Sequence, residues 1–471
     1  MPKSSQHSGA ALGALSLAAF MASLDVFIVN VAFDSIGADF AGTTLSQLSW
    51  VLTVYAILYA ALLVPAGRLA DRFGRKQGFL VGLSLFTLAS AACAAAGGIW
   101  WLVGFRALQA VGAAILTPAS LGLVVSTAAA EHRARWVRIW AATGALAAAL
   151  GPAVGGLLVE ASWRWVFLVN LPVGVLAFAA TLALVPGSRD DSATARPDLL
   201  GALLLAGAVG ALALGVVQGP DWGWSSGRVL TALVTTGVLL LGFAARSARH
   251  AVPVLDPALL RVRAFAWSNV TAVLFSIPFA ACLLTTILWM QEVWGYSALE
   301  TGFAVAPGPL MVPVFAVVAH RFARRVPVGY LVSLGCLLFG IGSVTVLLSV
   351  GATPDYARDL LPGWLIGGAG VGFALPNILS SATADLPPNR AATGSAVVNM
   401  SRQIGTVLGV SVVVAVLGTP VGYHAAHAAF QHAWWTVAGI SVLAAVLAPR
   451  MTPAPAAAVA RAVPETVPEP T

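Results

Sequence analysis

Three ionisable residues stand deep inside long apolar runs of this 471-residue chain: Asp25 in "MASLDVFIVNV", Arg106 in "WWLVGFRALQAVG" and Arg402 in "VVNMSRQIGTVLG". An ionisable group in such a segment is costly unless it is paired or used. Asp25 lies about thirteen residues into its run, near the middle of a span of roughly 20. Low polarity favours the neutral form of an acid, and a nearby cation favours the charged form. Asp25 is therefore a candidate proton carrier; the alternative is a structural hydrogen bond to a neighbouring helix. Arg106 stays charged in any setting, so it must face a cavity or an acid, and Asp25 is the candidate partner. Gln109, three residues on, shares its helical face. Asn30 stands a turn and a half beyond Asp25 and can bond across helices. Arg402 and Gln403 form a second polar pair, with contact to a solute and a packing role equally open. Asn30, Gln109, Arg402 and Gln403 are the candidate lining of a solute cavity.

A second concentration of charge is "GRLADRFGRK", Gly67 to Lys76, between two apolar runs. Its basic residues suit anchoring at a cytoplasmic membrane face. Asp71 is an acid where anchoring needs none, and Gly67 and Gly74 permit close approach and a tight turn.

The elements that must hold these residues are membrane helices. The chain is 59% hydrophobic and 9% charged, with a mean hydropathy of +0.89; soluble domains carry about 25% charged residues. Most of the surface must face lipid, and no polar stretch is long enough for a separate soluble domain. The first apolar run continues to about residue 33, which predicts a retained span rather than a cleaved signal. Cys93, Cys282 and Cys336 all lie in apolar runs and read as small core residues, not a disulfide framework.

Apolar runs occur near 12–33, 48–66, 78–97, 99–120, 137–158, 164–185, 199–217 and 228–245, then 265–290, 301–319, 328–350, 361–382, 395–417 and 432–448. Fourteen spans follow. With the N-terminus in the cytoplasm, 20 of the 25 Lys and Arg fall on the inner side and three on the outer, with Arg106 and Arg402 inside helices. That bias predicts both termini inside. The net charge of +7 is thereby read as membrane anchoring, not nucleic-acid binding. Aromatic residues in the outer loops, as in "PDWGWSS", read as interface-belt residues.

The halves echo one another: "DRFGRK" at Asp71–Lys76 has a counterpart in "HRFARR" at His320–Arg325. Both follow the second helix of a six-helix set when spans 1–6 and 9–14 are the sets. The expected divisions are an N-terminal bundle (1–186), two inserted helices with flanking loops (187–250), a C-terminal bundle (251–450) and a disordered cytoplasmic tail (451–471). A repeat of six spans is a transporter architecture, with the solute site between halves near the bilayer midplane.

In these motifs the chain resembles the fourteen-helix drug:proton antiporter branch of the major facilitator superfamily. "GRLADRFGRK" matches its loop motif after the second helix, "SLDVFIVNVAF" its first-helix motif, "RALQAVGAA" its fourth-helix motif and "GALAAALGPAVGG" the antiporter motif of the fifth helix. "SWRWVFLVNLPVG" and "NMSRQIGTVLGV" are also typical of the branch. Two departures stand out: Ala110 where the branch usually has Gly, and Asp34 where the first motif usually ends in Pro. The resemblance implies an all-α polytopic fold of two six-helix bundles plus two extra helices. It implies a conformational latch at Gly67, Asp71, Arg72, Gly74 and Arg75 that joins the halves on the cytoplasmic side. The fifth-helix motif contributes Gly144, Gly151, Gly155 and Gly156, which permit close helix packing, and Pro152, which bends the helix.

No GxxxxGK[ST] stretch surrounds either lysine, Lys3 or Lys76, so ATP is not the expected energy source. No His or Cys cluster has metal spacing, no cofactor is expected, and no nucleophile–base set suggests an enzyme. The expected activity is proton-coupled efflux of drug-like or antibiotic compounds by alternating access, from a monomer in the cytoplasmic membrane. The alternatives are a narrow exporter of one natural product or metabolite, and a non-transporting sensor on the same scaffold. The fifth-helix motif argues against a solute:proton symporter.

Overall fold

The computed structural model describes residues 3–128, 131–188, 197–387, 390–418 and 422–452. Arg189, Arg196, the side chain of Lys3 and the expected tail beyond Thr452 lie outside the described residues. Fourteen helices are long and apolar enough to cross a membrane. They are α1 (Gly9–Val31), α2 (Leu45–Phe73), α3 (Arg75–Ala94), α4 (Ile99–Thr127), α5 (Arg135–Val159), α6 (Trp165–Leu184), α7 (Leu199–Val217) and α8 (Gly227–Arg249). The second set comprises α9 (Arg263–Val293), α10 (Ala298–Phe322), α11 (Val328–Ser349), α12 (Tyr356–Ala384), α13 (Ala391–Leu417) and α14 (Tyr423–Met451). Among the described residues there is no strand.

Local chemistry sets the ends. Thr44 and Gln47 form a capping box at the start of α2, and Ser297 with Glu300 forms another at the start of α10, satisfying backbone donors that helix starts leave open. Asp198 caps α7 by accepting from the Gly201 amide at 2.9 Å and also accepts from Arg246 Nε of α8 at 3.0 Å, tying the inserted helices together.

The charged stretch departs from the expected loop. Helix α2 runs through Gly67, Asp71 and Arg72 to Phe73, and the only break before α3 is Gly74. Gly74 takes φ +118°, a region other residues rarely enter. The polar membrane boundary can solvate these side chains, so nothing forces the helix to end where hydropathy falls.

The packing repeats with an offset of eight helices. Helix α1 packs on α4, α5 and α6 as α9 packs on α12, α13 and α14. Helix α4 packs on α2 and α3 as α12 packs on α10 and α11, and α3 meets α6 as α11 meets α14. The most extensive contacts between the bundles are α2 with α13 and α5 with α10, and the same offset exchanges them. A pseudo-two-fold axis therefore relates the halves. Helix α7 lies beside the α2–α13 seam, with α8 against α7. The outward faces carry large apolar side chains such as Leu88, Leu241 and Leu348, as a lipid-facing surface requires.

A short helix, Phe33–Asp39, follows α1, with Asp34 in its first turn, where a carboxylate complements the helix dipole. Asp39 at its end accepts from Trp163 Nε1 at 3.0 Å and Arg164 Nη1 at 2.9 Å. The Trp163 indole and then the Arg164 guanidinium hold its carboxyl below the usual aspartate range.

Candidate functional site

Asp25 projects from α1 into the N-terminal bundle, where the described side chains seal it; it and Arg106 are each 1% exposed. Arg106 Nη1 donates to Asp25 Oδ2 at 2.5 Å and to Gln109 Oε1 at 2.7 Å. Gln109 Nε2 donates to Asp25 Oδ1 at 2.8 Å and to Ser90 Oγ of α3 at 2.7 Å. Asn170 Nδ2 of α6 donates to the same two acceptors, at 3.3 and 3.2 Å. Arg106 Nε reaches the Val51 carbonyl of α2 at 3.2 Å. The Arg106 guanidinium also stands 4.1 Å from the centre of the Tyr55 ring, a cation–π contact.

Five helices, α1, α2, α3, α4 and α6, thus contribute to one network around this carboxylate. The i, i+3 spacing of Arg106 and Gln109 puts both on the α1-facing side of α4, as the sequence implies. Three N–H groups address the two oxygens of Asp25. That set suits the ionised carboxylate. Oδ1 accepts from Gln109 and Asn170 and Oδ2 from Arg106, so the carboxyl ties α1 to both α4 and α6. The sequence reading missed Ser90, Asn170 and Tyr55. A lone Ser, Asn or Tyr in an apolar run carries no periodic signal, although Asn170 lies in the quoted "VNLPVG" stretch.

The candidate cavity residues separate. Gln109 is buried in the network just described. Asn30 turns back on its own helix, donating from Nδ2 to the Val26 and Phe27 carbonyls at 2.9 and 3.3 Å. Arg402 and Gln403 are half-buried on α13, which packs on α2 of the other half. Arg402 Nη1 donates to Asn399 Oδ1 at 3.1 Å, and Ser401 next to it donates to Asn269 Oδ1 of α9 at 2.8 Å.

The fifth-helix glycines act at different partners. A Cβ at Gly151 would stand 2.6 Å from Phe27 Cβ, and one at Gly155 would stand 2.9 Å from the Ile28 carbonyl oxygen, both on α1. One at Gly156 would stand 2.4 Å from the Ala298 carbonyl oxygen of α10. Gly302 of α10 faces the Pro152 carbonyl in the same way. Gly144 has only ordinary contact, 3.7 Å from Ser23 Oγ, so close packing expected at four glycines occurs at three. The second half repeats the device, with Gly405 and Gly409 of α13 against the Val273 and Ile277 carbonyls of α9.

At the inner end, Arg75 Nε pairs with Asp71 Oδ1 at 2.6 Å across Gly74. The Arg75 side chain lies against the position of Gly122 on α4, and Gly67 faces Pro118 there. Lys76 Nζ reaches the Leu182 carbonyl at 3.0 Å, and Arg72 lies over the Phe73 ring at 5.4 Å. All these partners belong to the N-terminal half.

The sequence profile of the Major Facilitator Superfamily matches residues 15–410. The chain is 33% identical over 412 residues to a methylenomycin A resistance protein of Streptomyces coelicolor, covering 87% of this chain and 86% of that one. It is 30% identical over 416 residues to a tetracenomycin C resistance and export protein of Streptomyces glaucescens, covering 87% and 76%. In structure it resembles a peptide transporter POT solved with sulfate, at TM-score 0.68 and 18% identity over 94% of this chain and 95% of that one. That likeness concerns the fold.

Proposed function

This chain belongs to the Major Facilitator Superfamily, and from that membership we propose that it exports drug-like or antibiotic compounds in exchange for protons. It is a multi-pass membrane protein of a transporter family, not an enzyme. The observation that carries the proton-coupled reading is the Asp25–Arg106 pair, buried where five helices meet. Neutralising Asp25 removes the charge that Arg106 answers and weakens the charge-assisted bonds its donors make to the carboxyl. Those donors sit on α4 and α6, so the change loosens α1 from both. Helix α1 also carries the Phe27 and Ile28 backbone on which α5 rests, and α5 in turn meets α10. A proton on Asp25 thereby reaches the seam between halves through packed elements with two arrangements.

The close contacts of α5 with α10 lie at Pro152, Ala153 and Gly156, toward the outer end of α5 in the orientation the charge bias gives. With both termini cytoplasmic, as that bias gives, these contacts fit a state closed to the outside. A narrower reading, export of a single natural product, is favoured by the relatives named for one antibiotic each.

The test is uptake into everted membrane vesicles with an acid interior, using a panel of antibiotics and dyes. Proton-dependent accumulation of at least one compound is expected, with each compound's entry releasing protons. Accumulation that ignores the pH gradient would remove proton coupling, and none across the panel would remove export.

Asp71 belongs to the same cycle. It bonds within its own half here, which fits a latch released when the inner side is open. Asp71→Asn should lower the transport rate about tenfold, the weight of one charge-assisted bond of ~1.4 kcal/mol, with drug binding in detergent retained. A normally expressed mutant with unchanged rate would leave this stretch an anchor only.

A further inference from the structure

Charge in the membrane interior does not balance. The Asp25 carboxylate and the Arg106 guanidinium answer each other. Arg402, the third ionised group deep in a span, has no carboxylate among the described groups acting on it; the titratable group acting on it electrostatically is the Tyr59 phenol of α2, which bonds to Thr117. Its Nε is buried without a hydrogen-bond partner, and Nη1 has only the Asn399 amide oxygen. An arginine kept in an apolar interior with donors unused is a group awaiting an acceptor. It sits on α13, which packs on α2 where the two halves meet.

We propose that Arg402, held by Asn399, is the docking point for a carboxylate or similar monoanionic group on the exported compound. The guanidinium is a planar fork that pairs two N–H groups with two carboxylate oxygens. Arriving anions neutralise the unanswered charge, which an amide or ester of the same shape cannot do. The site also touches the proton-binding network. Tyr59 stacks on Tyr55, one helical turn away on α2, with ring centres 6.0 Å apart and planes 11° apart. The other neighbour of Tyr55 is the Arg106 guanidinium. Two tyrosines of one helix therefore stand between an arginine of each half, so substrate charge and proton charge act on the same element. The inference rests on the export reading above and adds the class of compound.

The experiment measures equilibrium binding to the purified full chain. The probes are aromatic carboxylates and their primary amides, with 1-naphthoate and 1-naphthamide as the lead pair. The wild type should bind acids about tenfold or more tightly than the matched amides, the weight of a charge-assisted bond. R402Q should erase that preference while amide binding changes little, and R402K should keep part of it. Melting temperature and monodispersity in detergent separate a binding defect from misfolding, and Y59F should weaken acid binding with Arg402 intact. Equal binding of acids and amides by the wild type overturns the inference, as does an acid preference that survives R402Q. Proton-driven accumulation of other compounds in everted vesicles alongside either result leaves export standing. Absence of any proton-driven transport removes the export reading itself.

Discussion

Asp25→Asn should reduce proton-driven efflux in proteoliposomes to the level of empty vesicles. The substitution keeps a side-chain oxygen to accept from Arg106 Nη1, now at 2.5 Å from the carboxylate, but leaves that guanidinium without its counter-charge, so thermal stability should fall and is measured beside transport. It removes the only described charge that answers Arg106 in the sealed network. The variant is fixed in the neutral form that proton uptake would produce, and it has no proton to give back. Substrate binding should persist, because the drug need not touch a residue that is 1% exposed. Asp25→Glu should retain part of the activity, with the longer arm crowding Gln109 and Asn170.

Arg106→Ala should behave differently, as a folding defect. It leaves a buried carboxylate unpaired, a change that costs about 3–5 kcal/mol. Expression and thermal stability should fall together. The deciding measurement is proton movement elicited by substrate. If that movement persists at the wild-type level in Asp25→Asn, another acid carries the proton, and Asp34 is the next to test.

Gly156→Val should stop transport by holding the outer seam apart. The added Cβ would meet the Ala298 carbonyl oxygen at 2.4 Å and Leu299 Cα at 2.8 Å. Both are backbone atoms of α10 and cannot rotate away. Overpacking of this kind costs about 1–3 kcal/mol, which shifts the closed-to-open ratio by about 5-fold to about 150-fold. A state whose outer side is closed becomes rare, and accessibility labelling from outside should rise with it. Gly302→Val, which drives a Cβ against the Pro152 carbonyl at 2.3 Å, should give the same phenotype from the other half. Gly144→Ala is the control: its Cβ would have only Ser23 Oγ nearby, at 3.7 Å, so efflux should stay within about twofold of wild type. Gly156→Val with normal efflux and unchanged labelling would mean that the α5–α10 contact is not the outer closure.

The sequence alone determined the fourteen spans, because a span must be about 20 apolar residues whatever surrounds it. It also picked out Asp25, Arg106 and Arg402, because charge in an apolar run is conspicuous against its neighbours. The same logic found the small-residue motif of α5 but not which helix each glycine serves: α1 for Gly151 and Gly155, α10 for Gly156. Hydropathy placed a loop where α2 continues through Asp71, since a helix at the membrane boundary can be charged and remain a helix.

Only the tertiary structure decided what surrounds Asp25. Ser90 and Asn170 come from α3 and α6, and Tyr55 from α2, each a single polar or aromatic residue in an apolar run. Only it showed that Gly405 and Gly409 seat α13 on α9 as Gly151 and Gly155 seat α5 on α1. The physical reason is the same for both. Hydropathy is additive along the chain and can be summed from residue types. Pairing of a charge and closeness of two backbones belong to helices distant in sequence, and they exist only once those helices have packed.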